Sequence, residues 1–309
     1  MTRPFRFSVQ ASVVTDPVAF RELAVKAEDL GYAAVSMADH VADAQLAPMV
    51  ALMAAADATN TLRVTSLVLG NDYRHPGVVA REAATLDLLS GGRLELGLGA
   101  GWMQADYDQL GLDYDRPGRR IARLGEAIAI IDRLLRGETV VHRGEHYRVD
   151  GLRGSPAPVQ QPRPPMLVAG GGRRILTLAG RTADIIGLNP GLGAGVIDHR
   201  AGPSATPDAT DQKLGWIRTA AGDRFDRIEL QTRIHLAAIT DDREAMAATV
   251  APTMGIDPDD ALASPHALVG SVQQCVESLH AWRERWGITY IGLSADAVDS
   301  FAPVIAAVS

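Results

Sequence analysis

The sequence predicts an α/β fold and, within that class, a single closed (β/α)8 barrel of the TIM type. Eight short apolar or β-branched runs, each followed by helical periodicity, alternate along 309 residues, the order that builds a parallel sheet covered by helices. An open doubly wound sheet shares that order. It would, however, carry G-x-G-x-x-G directly after its first strand, with an acidic residue roughly 20 positions on. Here the first strand leads into Ala11-Ser12-Val13, and no Walker-type phosphate loop occurs elsewhere. The barrel is therefore the better fit, as one domain over residues 1–309 with loop insertions at its C-terminal face.

Residues 5–10 form the first strand. Asp16 and Pro17 open a helix whose Phe20, Leu23, Ala24, Ala27 and Leu30 make one apolar face before Gly31 stops it. Residues 33–37 are the second strand, delivering Asp39 and His40 into a loop that lasts until Pro48 starts a helix to about Ala58. The run 62–68 reads as a strand buried on both faces. Gly70, Asn71 and Asp72 interrupt it, helix begins near Pro76, and Val78, Val79, Ala83, Leu86 and Leu89 fall at helical spacing. Ser90-Gly91-Gly92 ends that helix and residues 94–98 form the next strand. Gly97, Gly99 and Gly101 then alternate into a loop where a flat ligand or an anion can approach the backbone.

A loop over 103–117 precedes the cleanest helix in the chain, with Ile121, Leu124, Ile128, Ile131 and Leu135 on one stripe. Residues 137–149 read as a small hairpin, 139–143 against 146–149, decorating the barrel before the proline-rich connection 155–165. A strand at 166–169, the turn Gly170-Gly171-Gly172, a helix at 173–183 and a strand at 185–188 follow. The segment 190–207, rich in glycine and proline without periodicity, is the candidate mobile loop. Helix 211–221, strand 228–239, helices 243–254 and 272–286, strand 290–293 and helix 299–308 complete the alternation.

Composition removes several classes of function. Net charge is −7, from 30 basic and 37 acidic residues, and no basic patch stands out, which argues against a nucleic-acid partner. No apolar run approaches the roughly 20 residues that cross a bilayer, and the first residues lack a signal-peptide core, so the expectation is a cytosolic protein without a membrane partner. The single cysteine, Cys275, fits a reducing compartment and falls in the helical stripe of Val272, Val276 and Leu279 as a packing residue. His142 and His146 have metal-like spacing but lie on the surface hairpin with no third ligand, so no metal is expected. There is no G-x-S-x-G elbow, and Trp282 and Trp286 read as helix packing.

In a barrel of this kind the site lies at the C-terminal ends of the strands. Asp39, His40, Ser66, Asn71, Asp72, His75, Gly99, Gly101, Trp102 and Gly170 to Gly172 all follow strands and can meet there. The best anion site is Gly170-Gly171-Gly172, because the first amides of the helix behind it lack internal partners and the helix dipole favours negative charge. Arg173 and Arg174 can add charge-assisted hydrogen bonds. Asp39 reads either as a loop cap or as a ligand group, and His40 either as a satisfied local residue or as a proton donor or acceptor. His75 is either a turn residue or part of a substrate pocket.

The wording of Ser90 to Trp102, SGGRLELGLGAGW, with His75-Pro76 ahead of it, Asp39-His40, and the PPMLVAGGG of Pro164 to Gly172, resembles the bacterial-luciferase-like family of flavin and deazaflavin oxidoreductases. The resemblance covers nearly the whole chain and independently implies the barrel. It implies that the glycine turn, with Arg173, holds the phosphate of the cofactor side chain. Asp39 would meet the polar edge of the ring, Ser66 and Leu67 would flank a non-proline cis peptide under it, and Gly99, Ala100 and Gly101 would lie against it. His40 and Asp39 are the implied catalytic residues. Some sugar-phosphate-oxidising relatives carry a glutamate after the glycine loop. Here Trp102, Met103 and Gln104 stand there, which points to a more apolar substrate pocket formed with His75.

The leading expectation is an oxidoreductase that uses F420 to move a hydride to or from a small organic substrate, as a homodimer. Of the 30 basic residues 2 are lysine, leaving 28 arginines; that bias suggests a GC-rich genome, and such compositions are common in the actinobacteria that make the deazaflavin. The alternative is a monooxygenase that takes reduced FMN from a partner reductase and reacts it with oxygen. A barrel that binds a ligand without catalysis is the alternative from another class.

Overall fold

The computed structural model describes residues 3–43, 45–192, 195 and 199–309. Its centre is a closed barrel of eight parallel strands: Arg6–Gln10, Ala34–Met37, Arg63–Ser66, Leu94–Gly99, Met166–Gly170, Ile185–Leu188, Glu229–Arg233 and Ile288–Ser294. Each pairs in parallel with the next, and the last closes on the first with Phe7 opposite Ile291 and Val9 opposite Leu293. These are the eight runs expected from sequence. Parallel strands covered by helices need no polar face, and accordingly Leu94, Leu96, Val168, Leu188 and Ile291 are fully enclosed.

Proline explains where many helices start. Pro17, Pro48, Pro76, Pro117, Pro207 and Pro258 each stand at a first helical position, where the missing N–H costs no hydrogen bond. Asp16, Thr206 and Asp242 cap their helices through side-chain oxygens, and Ser271 with Gln274 forms a reciprocal capping box. The stripe expected for the longest helix, Pro117–Leu135, is buried at Leu124, Ile128, Ile131 and Leu135.

The differences from expectation lie where apolar periodicity is weak. The run 228–239 is two strands: Glu229–Arg233 stays in the barrel, whereas Leu236–Ile239 leaves it to pair with Ala267–Gly270. The switch falls at His235, whose amide donates to the His266 carbonyl at 2.8 Å. Helix Gln104–Leu110 occupies a segment expected to be loop, and helix Pro258–Ala263 lies in a stretch for which the sequence carried no assignment; neither is long enough to show a stripe. The hairpin pairs Thr139–Arg143 with Arg148–Arg153, so it extends past residue 149.

The floor of the barrel is ionic. The buried carboxylate of Glu95 accepts from Arg6 Nη1 at 2.5 Å, Arg63 Nε at 2.8 Å, Thr65 Oγ1 at 3.0 Å and the Tyr290 hydroxyl at 3.1 Å. Arg6 also reaches Glu229 and stacks over Tyr290, 3.8 Å from the ring centroid. Burial works against the Glu95 carboxylate, but the two guanidiniums hold its pKa below the usual range. Above this layer Gly97 opens space: a Cβ there would lie 1.8 Å from the Ser66 carbonyl oxygen.

Candidate active site

A cleft of about 290 Å³ opens at the C-terminal ends of the strands. One wall is the end of the third strand, where the chain runs through Leu67 and Val68 into the stub Leu69–Gly70, which pairs with Leu98 and Gly99. The non-proline cis peptide joins Leu67 to Val68, one residue beyond the Ser66-Leu67 bond at which it was expected. Ser66 is beneath the cleft, not in it. Its hydroxyl donates to the Gly97 carbonyl at 3.0 Å and accepts from the Gly97 amide at 2.8 Å, tying two strands together.

Gly99, Ala100, Gly101 and Trp102 form the next part of the lining. Gly101 has φ of 71°, and a Cβ on it would lie 2.1 Å from the Tyr107 hydroxyl, so only glycine fits. Tyr107 is enclosed and donates to Asp72 at 3.0 Å; Asp72 in turn pairs with Arg123 at 2.7 Å. This braces the glycine loop from behind.

Asp39 and His40 both line the cleft. The Asp39 carboxylate accepts from the Gly70 amide at 2.9 Å and from both terminal nitrogens of Arg74, so it organises the turn after the third strand. Burial opposes the charge on Arg74, yet the Asp39 contact keeps its pKa above the ordinary value. His40 is positioned by a residue the sequence reading passed over. Its Nδ1 lies 2.8 Å from Oδ2 of buried Asp106, whose Oδ1 accepts from the amides of Val41 and Ala42, each at 2.8 Å. Desolvation opposes the Asp106 carboxylate, but those two amides and His40 hold its pKa down. The His40 ring also packs edge-on against Trp102, with centroids 5.3 Å apart.

The glycine turn forms the far wall. Gly170, Gly171 and Gly172 line the cleft with Ile175, at the start of the Arg173–Thr182 helix, whose N-cap Gly172 has no side-chain cap. The amides of that first turn have no intrahelical acceptor. Gly171 lies against the chain beyond the sixth strand: a Cβ there would come within 2.4 Å of the Pro190 oxygen and 2.5 Å of the Asn189 oxygen. The Asn189 carbonyl accepts from Lys213 Nζ at 2.8 Å, and the Ser204 carbonyl accepts from the same amine at 2.5 Å. Burial pulls the Lys213 pKa down to about 8. Gly191 to Leu192 continue over the cleft, and the Gly191 amide donates to Ser204 Oγ at 2.9 Å. In the loop expected to be mobile, residues 193, 194 and 196–198 lie outside the described residues.

Three expected site residues sit elsewhere. His75 caps its helix, accepting from the Gly77 amide at 3.1 Å, and faces an outer groove with Met49 and Val78. Gln104 is exposed at the start of its helix. Arg173 lines an outer groove between helices with Arg174, whose Nη1 would lie 2.2 Å from a Cβ on Gly118. A helix's first side chains project along its outer surface, and here that surface packs on the Pro117–Leu135 helix. Among the described residues the guanidinium that does line the cleft is that of Arg120, from that neighbouring helix. It is 4% exposed, stacks over Tyr114 at 4.0 Å and Tyr107 at 5.5 Å, and its Nε and Nη1 are buried without a hydrogen-bond partner. Cation–π stacking contributes about 0.5–2 kcal/mol. Removing an ion from water costs several kcal/mol, so the rings alone do not offset its burial.

A sequence profile of luciferase-like monooxygenases matches residues 3–200. The chain belongs to the luciferase-like monooxygenase family. An F420-dependent glucose-6-phosphate dehydrogenase from Nakamurella multipartita is 31% identical to this luciferase-like chain over 251 residues, covering 79% of it and 70% of the relative. The F420-dependent tetrahydromethanopterin reductase from Methanopyrus kandleri superposes with a TM-score of 0.79 at 18% identity, over 99% of this chain and all of that one. The monooxygenase RslO1 from Streptomyces bottropensis superposes with a TM-score of 0.76 at 22% identity, over 97% and 96% of the two chains. At those identities the two structures speak for the barrel fold. The family segment contains Asp39, His40, the cis peptide, the glycine loop and the glycine turn.

Asp106, Arg74, Tyr107, Arg120 and Lys213 were not singled out in the sequence. Asp106 and Arg120 are ordinary polar residues on helices, and only folding reveals their burial. For Lys213 one signal existed: it is one of two lysines in an arginine-rich chain.

Proposed function

We propose that this luciferase-like chain is an F420-dependent oxidoreductase acting on a small organic molecule. The observation that carries the reading is the cleft itself, where a wall at Leu67 and Val68, a small-residue floor at Gly99, Ala100 and Gly101 and an anion-receptive turn at Gly170 to Gly172 converge. The residues fit the group: the Gly171 cradle is one that a Cβ would fill, and the enclosed Arg120 supplies unsatisfied donors. When bound, the deazaflavin supplies a ring carbon that accepts or donates a hydride. Gly170 to Gly172 would hold its phosphate, Gly99, Ala100 and Gly101 would admit the ring, and Leu67 and Val68 would support one face.

The chain's own contribution is orientation and proton handling. With Asp106 ionised, Nδ1 of His40 carries the proton and Nε2 remains as the ring nitrogen free to take or give one at the substrate. Asp39 fixes the turn at Gly70 beside it. Trp102, Ile121, Pro190 and Leu192 make the rest of the cleft apolar, which suits an organic substrate with little charge and excludes water from the transfer. The reading places the enzyme in the cytosol as a homodimer. Val50, Val78 and Leu89, exposed beside the outer groove of Met49, Met53 and Leu152, offer an apolar contact for a second copy.

The second reading is an FMN-dependent monooxygenase supplied by a partner reductase; the match of residues 3–200 to the luciferase-like monooxygenase profile favours it. Titration of the purified protein with F420 and with FMN, followed by fluorescence, separates the two. The expected result is FMN binding at least tenfold weaker, about 1.4 kcal/mol. The reverse order would establish the monooxygenase reading, and binding of neither would make the barrel a non-catalytic ligand carrier.

A further inference from the structure

We infer that Arg120 is a phosphate ligand, closing the anion site opposite the Gly170 to Gly172 turn. Arg120 is 4% exposed and lines the cleft, with Nε and Nη1 of its guanidinium enclosed and unpartnered. Other part-buried guanidiniums are paired with carboxylates: Arg74 with Asp39 and Arg123 with Asp72 and Asp115 near the cleft, and Arg6 with Glu95 and Glu229 in the barrel floor. Among the described residues Arg120 has only the faces of Tyr107 and Tyr114. Rings attract a cation but accept no hydrogen bond in its plane, so the fork of donors is left for a ligand oxyanion.

Placement identifies the anion's position. Arg120 lies in the first turn of the Pro117–Leu135 helix, and that turn packs against the first turn of the Arg173–Thr182 helix, as the approach of Arg174 to Gly118 shows. Two helix N-termini therefore start at one corner of the cleft, with free amides on one side and an unpaired guanidinium on the other. A phosphodiester carries the charge and the number of acceptors that both sides lack. Pairing Arg120 with Tyr107 and Tyr114 fixes the fork before the ligand arrives, which lowers the entropic cost of binding.

The identity of the ligand rests on the F420 reading, whereas the site does not, and the experiment separates them. Wild type, Arg120→Met and Arg120→Lys are titrated with F420 and with the deazaflavin riboside that lacks the phosphate, and the melting temperature of each unliganded protein is measured. Arg120→Met is expected to weaken F420 by at least tenfold and the riboside by less than twofold, with Arg120→Lys between the two. The unliganded Arg120→Met protein is expected to melt at or above wild type, because an unpaired buried charge has been removed. Equal F420 affinity in wild type and Arg120→Met, or equal losses for both probes, would overturn the assignment, as would a lower melting temperature without selectivity for the phosphate. If wild type binds neither deazaflavin, the F420 reading fails. Inorganic phosphate then decides the site: it should raise the melting temperature of wild type and not of Arg120→Met, and an equal rise in both would sink it.

Discussion

Replacing Asp106 with asparagine tests the chemistry at His40 most directly. The carboxylate accepts two backbone amides on Oδ1 at 2.8 Å, His40 Nδ1 on Oδ2 at 2.8 Å, and the Tyr73 hydroxyl on Oδ2 at 3.2 Å. An asparagine of the same shape keeps an oxygen for the two amides but presents NH2 to His40. Nδ1 must then accept, so the proton moves to Nε2 and the ring offers the cleft a donor where it had offered a lone pair. Charge-assisted bonds are worth about 1.5–3 kcal/mol and neutral ones about 0.5–1.5. Weakening the two amide bonds and the His40 bond, while the Tyr73 hydroxyl turns to accept from the new NH2, predicts a loss of about 2–4 kcal/mol, which a domain with about 5–15 kcal/mol of stability survives folded. Long-range 15N–1H NMR of the imidazole should show Nδ1–H in wild type and Nε2–H in the variant. Turnover should fall on the order of 10²-fold or more, the usual scale for proton transfer by a positioned side chain. An unchanged tautomer with unchanged stability would show that Asp106 does not orient His40.

Three further outcomes are expected. Gly171→Ala places a methyl within 2.4–2.5 Å of the Asn189 and Pro190 backbone; overpacking should cost about 1–3 kcal/mol by denaturant unfolding and weaken the preferred cofactor at least about tenfold. Full affinity would show that the turn is not part of the anion site. Glu95→Gln leaves Arg63 without a carboxylate partner in the barrel floor, while Arg6 keeps Glu229, and breaking a buried pair of this kind should cost about 3–5 kcal/mol; a loss below about 1 kcal/mol would mean that the floor relaxes and admits water. Glu28 accepts from the amides of Asn60, Thr61 and Leu62. Burial works against its charge, but the hydrogen bonds from Thr61, Asn60 and Leu62 pull its pKa to about 2, against 4.5 unperturbed. Because the folded value is the lower one, its stabilisation is complete above pH 4.5 and is lost as pH falls toward 2. Urea unfolding at pH 5 and pH 3 should therefore differ more for wild type than for Glu28→Gln, and parallel behaviour would remove Glu28 as the source.

Much of this protein was written in local pattern. The eight strands could be read because each is a short apolar run bounded by glycine, proline or a cap, and the helices because proline fixes their starts whatever they later pack against. The motifs at Asp39-His40, Gly99 to Trp102 and Gly170 to Gly172 marked the cleft because strand ends must meet at one face of a barrel. Glycine was informative there for a steric reason that holds in any fold. The residues that only the tertiary structure could identify are those whose meaning is a partner distant in sequence. Asp106 matters because it lies beneath His40, 66 positions away, and Glu95 because two arginines from other strands converge on it. His75 and Arg173 show the converse. Both have suitable chemistry beside a site motif, and both point outward because the helix that carries them turns its first side chains away from the cleft. Local sequence fixes backbone conformation through steric and hydrogen-bonding rules that act over a few residues. Which side chains become a site depends on direction and on the pairing of buried charge, and both are set only when the barrel closes.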